Sequence, residues 1–338
     1  MQAVRLEAIN SLTVREVPAP SPRPGELVVR IEACGVCGSD RHILHGEYPA
    51  KPPVTLGHEF AGTVVSSSGD VPLATGTRVA VNPNISCGIC RECRRGNVQF
   101  CLNLRALGVD RDGGLAEYAV VPMTQAYALS PGTPAEYGAL CEPLACCLHG
   151  IDVANIRPGM TVAVLGGGVI GQLMVQLARL AGATSVILST RQPSRRQLAA
   201  RLGATATIDP GAADVVATVT GTGGLVPDGI DVVLECAGTM ETVEQALQLA
   251  RRGGTVVLFG VAPRSQTTTI TPHDVLVREL HIVGAYLNPL THGRAVELVA
   301  SGKLDLAPLI THHLALADVP ALLASSPQPG EVKAMFTT

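Results

Sequence analysis

A short apolar run, Thr161–Leu165, passes directly into Gly166-Gly167-Gly168-Val169-Ile170-Gly171 and then into an apolar stretch over 172–181. Strand, Gly-x-Gly-x-x-Gly, helix leaves few folds open. The glycines permit a tight turn, let the backbone approach a pyrophosphate closely, and let the helix pack hard on the strand with its N-terminus towards the phosphates. The alternation continues through Ser185–Ser189, 195–202, Ala206–Ile208, Ile230–Glu235, 241–250, 255–259 and 281–285. This predicts an α/β fold with a doubly wound parallel sheet that binds a dinucleotide. Cys236 and Ala237, after the strand Ile230–Glu235, are expected at the same nucleotide site. The plainer alternative is a glycine-rich turn with no cofactor.

The end of the second strand bears on which dinucleotide. NAD is ordinarily met there by an Asp or Glu on the ribose 2′-hydroxyl. This chain reads Leu188-Ser189-Thr190-Arg191-Gln192-Pro193-Ser194-Arg195-Arg196, with no acid. Arginine forks suit phosphate, whereas a carboxylate would repel it. Ser189, Thr190, Arg191 and Arg195 therefore predict NADP, with NAD possible. Solvated arginines at a helix start would explain the arginines but not the missing acid.

The front of the chain carries metal chemistry. Cys37-Gly-Ser39-Asp-Arg-His42 is followed by Leu56-Gly57-His58-Glu59. Cys37, His58 and Glu59 offer S, N and O to Zn²⁺, and three protein ligands leave a position open, as in catalytic sites. A buried Cys and a satisfied core His are the bland alternative. Glu142, in Cys141-Glu142-Pro143, is a fourth candidate, although a carboxylate before a helix is also a common cap. A different pattern occupies Cys87-Gly-Ile-Cys90-Arg-Glu-Cys93 and Cys101. Four thiolates close a tetrahedral shell and predict a structural zinc; an iron–sulfur cluster also takes four cysteines. Ten cysteines in all, clustered in this way, point to metal in a reducing compartment rather than to disulfides.

Short strand-like runs at 1–6, 12–17, 27–32, 60–66, 77–81 and 116–122 make the front a barrel-like β domain, with no helical period before residue 80. A helix is expected over 143–156, a second near 293–301, and a closing strand at 331–336. A net charge of −3 and 3% aromatic residues speak against nucleic acid, anionic membrane and base-stacking platforms. Only 16% of residues are charged, which favours a large core and an oligomer. No signal segment precedes the first strand and no apolar run spans a bilayer, so a cytoplasmic protein is expected.

Taken in order, these motifs resemble the zinc-containing medium-chain dehydrogenases, most closely the polyol (sorbitol-type) branch, over essentially the whole chain. The resemblance implies a GroES-like catalytic domain over 1–156 and 287–338, with a structural-zinc lobe at 87–101, and a Rossmann domain over 157–286. It implies a catalytic zinc on Cys37 and His58, with Glu59 and Glu142 as direct or water-bridged ligands, and a structural zinc on Cys87, Cys90, Cys93 and Cys101. Ser39 resembles the relay hydroxyl and His42 the outer relay base, where an imidazole titrates near neutrality. The implied activity is hydride exchange between a secondary alcohol, of the polyol class, and NADP(H). Gly284-Ala285-Tyr286 lacks the arginine of the sorbitol branch's Arg-Tyr pair, which sets sorbitol itself apart. An NAD-dependent, threonine-like amino-alcohol dehydrogenase and a non-enzymatic dinucleotide sensor are the competing readings.

Overall fold

The run Thr161–Leu165 lies inside a six-stranded, wholly parallel sheet. The sheet order is Ala206–Ile208, Ser185–Ser189, Thr161–Leu165, Ile230–Glu235, Ala250–Leu258, His281–Gly284. In chain order this is 3-2-1-4-5-6, the dinucleotide-binding arrangement with its reversal beside the first strand. The strands bury apolar side chains almost throughout, as a sheet covered on both faces requires. The first helix, Val169–Leu180, starts three residues earlier than the apolar run suggested, because Gly168 caps it. Two short helices, Val215–Thr220 and Pro272–Arg278, have no clear signal in the sequence.

This computed structural model describes residues 1–70 and 72–338. The chain forms two compact units, Met1–Ala145 with Asn288–Thr338, and Cys146–Leu287. The second is the Rossmann unit. The first is β-rich and GroES-like. Its seven-stranded sheet runs Ala126–Ala128, Arg78–Val81, Glu59–Ser67, Glu26–Val36, Lys333–Thr337, Ile310–Leu314, and Tyr118–Pro122 also pairs with Glu26–Val36. A three-stranded sheet and a two-stranded ladder, Asn84–Ile85 with Arg105–Ala106, complete it. Each unit has its own buried apolar cluster, around Phe60 and Leu115 in one and Val233 and Val256 in the other.

One element contradicts the expectation of an all-β front: Gly38–Leu44 is a helix. It is only seven residues long, too short for a period to emerge, and its start is fixed by a local device. Asp40 Oδ2 accepts the Cys37 backbone N–H at 2.9 Å, closing the first turn. Its far end is held from the other end of the chain, where Arg41 donates to the carbonyls of Ser325 and Leu322, both at 3.2 Å. Among the described residues no helix is long and apolar enough to cross a membrane.

Candidate active site

The helix Gly38–Leu44 and the strand Glu59–Ser67 bring the first metal pattern together. The ligand atoms of Cys37, His58 and Glu59 all lie within 4.8 Å of one another. Gly57 makes the approach possible. Its φ is +92°, and a Cβ there would stand 2.7 Å from Leu115 and 2.8 Å from Cys34 Sγ. Cys34 is itself fully buried, a packing residue rather than a redox partner for Cys37.

Asp40 belongs to this cluster and was passed over by the sequence reading. It is fully buried, and its Oδ1 lies 3.3 Å from His58 Nδ1; neither atom has another hydrogen-bond partner. That arrangement assigns the Nδ1 proton to the aspartate side and leaves Nε2 for a metal, as metal-bound imidazoles are commonly supported. Burial disfavours the imidazolium, but the charge and hydrogen bond of Asp40, then Cys37, hold the His58 pKa well above its ordinary value. A thiol, an imidazole backed by a carboxylate, and a second carboxylate form a donor set that fits Zn²⁺.

Glu59 has a competitor for any metal. Lys333 Nζ lies 2.6 Å from Glu59 Oε2 and 2.9 Å from Oε1, and also donates to the Val36 carbonyl at 3.2 Å. Both side chains are buried. Register explains the meeting: Glu59 pairs with Gly35, and Val36 with Ala334, so the central strand carries the two partners on its flanks. A Cβ on Gly35 would overlap Glu59 Oε2, so glycine there makes room for the carboxylate. Burial opposes the ammonium, yet Glu59 and then Cys37 raise the Lys333 pKa above its ordinary value. The sequence offers no signal for this lysine. Glu142 is buried in the first turn of the helix Cys141–Ala154, but it is not in the set of mutually close ligand atoms.

Ser39 Oγ is 3.5 Å from Cys37 Sγ. His42, further along the same helix, reaches the surface, with Nδ1 2.5 Å from Glu47 Oε2. The second metal pattern converges too: the thiols of Cys87, Cys90, Cys93 and Cys101 form one group, with Cys90 and Cys93 Sγ 3.5 Å apart and no disulfide. Backbone N–H groups of Ile89 and Cys90 lower the Cys87 pKa to about 6, while burial and then its thiol neighbours push Cys93 up to about 11. A loop that aims amides at crowded thiols is suited to thiolates around a cation. The helix Arg91–Arg94 and the turn Val98–Phe100 bury no residue, and Cys101 is the buried cysteine of the group.

In the other unit the glycine turn is shaped as a cradle. Gly166 has φ +111°, and a Cβ on it would reach Ala237 N at 3.0 Å. A Cβ on Gly167 would press on Thr190 at 2.7 to 2.9 Å, and one on Gly171 would overlap the Gly166 carbonyl. A Cβ on Gly168 meets nothing within 4 Å, so that face is open to a ligand at the helix N-terminus, where Val169 and Ile170 begin the first turn. Ser189 and Thr190 are buried beside it. Cys236 N donates to Leu165 O at 2.8 Å, and the N–H groups of Ala237 and Gly238 both donate to the buried Glu235 Oε1 at 2.8 Å. Glu235 thus sets the loop that carries Cys236 and Ala237, a role the sequence did not disclose. Arg195 and Arg196 make different contacts. Gln172 Nε2 donates to the Arg195 carbonyl at 2.9 Å, while Arg196 Nη1 donates to the carbonyls of Thr190 and Arg191, both at 2.7 Å.

Comparison with known proteins agrees with this geometry. The alcohol dehydrogenase GroES-like domain family matches residues 23–131, and the zinc-binding dehydrogenase family matches residues 169–301. L-threonine 3-dehydrogenase of Pyrococcus horikoshii is 38% identical over 88% of this chain and 86% of its own. L-idonate 5-dehydrogenase of Vitis vinifera is 34% identical over 99% of this chain and 94% of its own. A crystal structure from Sinorhizobium meliloti 1021, described as a zinc-binding dehydrogenase bound to NADP, superposes with a TM-score of 0.98 at 52% identity, covering 100% of this chain and 99% of that one.

Proposed function

The chain belongs to the zinc-binding alcohol dehydrogenase family of oxidoreductases, polyol-like branch, and from that premise we propose that it interconverts a secondary alcohol of the polyol class and its ketone with NADP(H). The observation that carries the reading is the convergence of Cys37, His58 and Glu59, with Asp40 behind His58. In this reading Cys37 and His58 hold the catalytic zinc, with Glu59 and Glu142 as its further carboxylates, and Cys87, Cys90, Cys93 and Cys101 hold the structural one.

Bound Zn²⁺ would supply Lewis-acid polarisation of the substrate hydroxyl, and NADP⁺ would accept the hydride. The protein's own work is orientation and proton handling. Asp40 fixes the tautomer of His58. Ser39, next to Cys37, takes the hydroxyl proton, and His42, with Glu47 at its outer nitrogen, passes it to water. The glycine turn and the helix N-terminus cradle the pyrophosphate. Thr190 and Arg191, in place of an acid, receive the 2′-phosphate, and the NADP-bound relative at 52% identity supports this choice. The idonate dehydrogenase relative supports a polyol. We also take the protein to be a cytoplasmic homodimer or homotetramer, which light scattering decides as to size.

The 38% identity to a threonine dehydrogenase favours a second reading, an amino-alcohol substrate. Reduction of NADP⁺ and NAD⁺ in parallel, against polyols, simple secondary alcohols and L-threonine, with and without chelator, separates the two. Chelator-sensitive NADP⁺ reduction with a polyol is expected. Preference for L-threonine would replace the substrate class, and preference for NAD⁺ would overturn the Thr190/Arg191 assignment.

A further inference from the structure

Arg191 and Glu241 flank the glycine turn from its two sides. Arg191 follows Thr190, which packs on Gly167; Glu241 follows the Ala237–Gly238 loop, which packs on Gly166. Their side chains meet: Arg191 Nη2 lies 3.4 Å from Glu241 Oε2. The neighbouring Arg196 is differently placed. It holds two carbonyls and also pairs with Asp209 at 3.0 Å, so its guanidinium braces the backbone of the turn. Arg191 is 75% exposed and Glu241 59%. Glu241 sits in the first turn of the helix Met240–Leu249, and Gln245 Nε2 donates to its other oxygen, Oε1, at 3.4 Å.

We propose that Glu241 is a positioning residue that sets how strongly this protein distinguishes NADP from NAD, by holding the Arg191 guanidinium that a 2′-phosphate would take. The inference rests on the reading that Arg191 meets that phosphate. A surface carboxylate–guanidinium pair is weak, so a phosphate displaces it, aided by the stronger two-pronged fit of phosphate to arginine. Displacement leaves the freed carboxylate close to a dianion, which repels it. Glu241 therefore opposes NADP twice, as a competitor and as a like charge. An NAD ribose brings no phosphate, leaves the Arg191–Glu241 pair intact, and is indifferent to Glu241. The consequence is a site that prefers NADP by a narrower margin than its arginine alone would give.

The test is calorimetric titration of the full-length, zinc-loaded protein with NADP⁺, NAD⁺, 2′,5′-ADP and ADP, none of which requires turnover. Glu241→Gln is expected to tighten NADP⁺ and 2′,5′-ADP about fivefold, the equivalent of a good surface pair. NAD⁺ and ADP are expected to bind as in the wild type, and the gain should shrink when Arg191→Ala is added, because only the like-charge part then remains. Unchanged NADP⁺ affinity in Glu241→Gln, in a protein whose wild type prefers NADP⁺ and whose Arg191→Ala variant loses that preference, overturns the role of Glu241 alone. An equal gain for NAD⁺ also overturns it, since a merely structural effect would act on both nucleotides. A wild type that prefers NAD⁺ overturns the cofactor reading and this inference with it.

Discussion

Lys333 is the residue whose removal says most about the metal site. Its ammonium and the Glu59 carboxylate are buried together, 2.6 Å apart. Such a pair adds little over an apolar core, but breaking one side of it strands a charge. Lys333→Met is expected to lose about 3–5 kcal/mol of unfolding free energy in urea, most of it restored by adding Glu59→Gln. A loss under about 1 kcal/mol would mean that the carboxylate finds another partner, the metal foremost. His292 tests burial by titration. It is buried against Tyr127, ring centroids 4.9 Å apart, with both ring nitrogens unpartnered, and burial lowers its pKa to about 3. Between that value and the ordinary one near 6.5 the unfolded chain binds a proton that the folded chain does not. Stability attributable to His292 is therefore complete at neutral pH and lost as pH falls through that window, at up to about 1.4 kcal/mol per pH unit. His292→Leu is expected to flatten this acid limb in urea titrations from pH 7 to 4; parallel limbs would show that the ring is already solvated. Lys333 and Glu59 show why single residues were only partly legible. Metal ligands announce themselves by type and spacing, as Cys87 to Cys101 did. An ion pair 274 positions apart has no local signature.

Elements were legible where periodicity had room to act. Five strands of the parallel sheet fall within a residue of their apolar runs, because a strand buried on both faces is apolar throughout, whereas Ala250–Leu258 starts five residues before its run at 255–259. The helix Gly38–Leu44 was not, because it is made by a cap and by distant anchors rather than by an apolar stripe. Yet it carries Ser39, Asp40 and His42, so the least legible element is the one that holds the residues proposed for the proton path. Glycines of the nucleotide turn make an experiment on element function. Gly168→Ala adds a methyl to open space and should leave the melting temperature within about 2 °C, while weakening NADP⁺ at least tenfold because the methyl occupies the phosphate's approach. Gly171→Ala drives a methyl into the Gly166 carbonyl and should cost about 1–3 kcal/mol of stability, seen as a lowered urea midpoint. Equal effects of the two on folding and on binding would mean that the turn is packed for structure alone.

At the scale of the whole molecule, the chain builds the catalytic unit from both of its ends and the nucleotide unit from its middle. The strand Lys333–Thr337 lies inside the seven-stranded sheet, between Glu26–Val36 and Ile310–Leu314, so that unit is complete only when the last strand is in place. The candidate metal ligands all belong to the unit made by the ends, and the glycine turn with Thr190 and Arg191 belongs to the other. No residue proposed for one cofactor is proposed for the other. The two occupancies should therefore separate. Stripping zinc from the full chain is expected to abolish turnover while leaving the stabilisation by NADP⁺ in place, about 2.7 kcal/mol at a hundred times the dissociation constant. The measurement is thermal melting with and without nucleotide, before and after chelation, with bound zinc counted in each sample. Nucleotide stabilisation that disappears with the metal would show that zinc organises the nucleotide unit as well, and that the separation of ligands along the chain is not a separation of function.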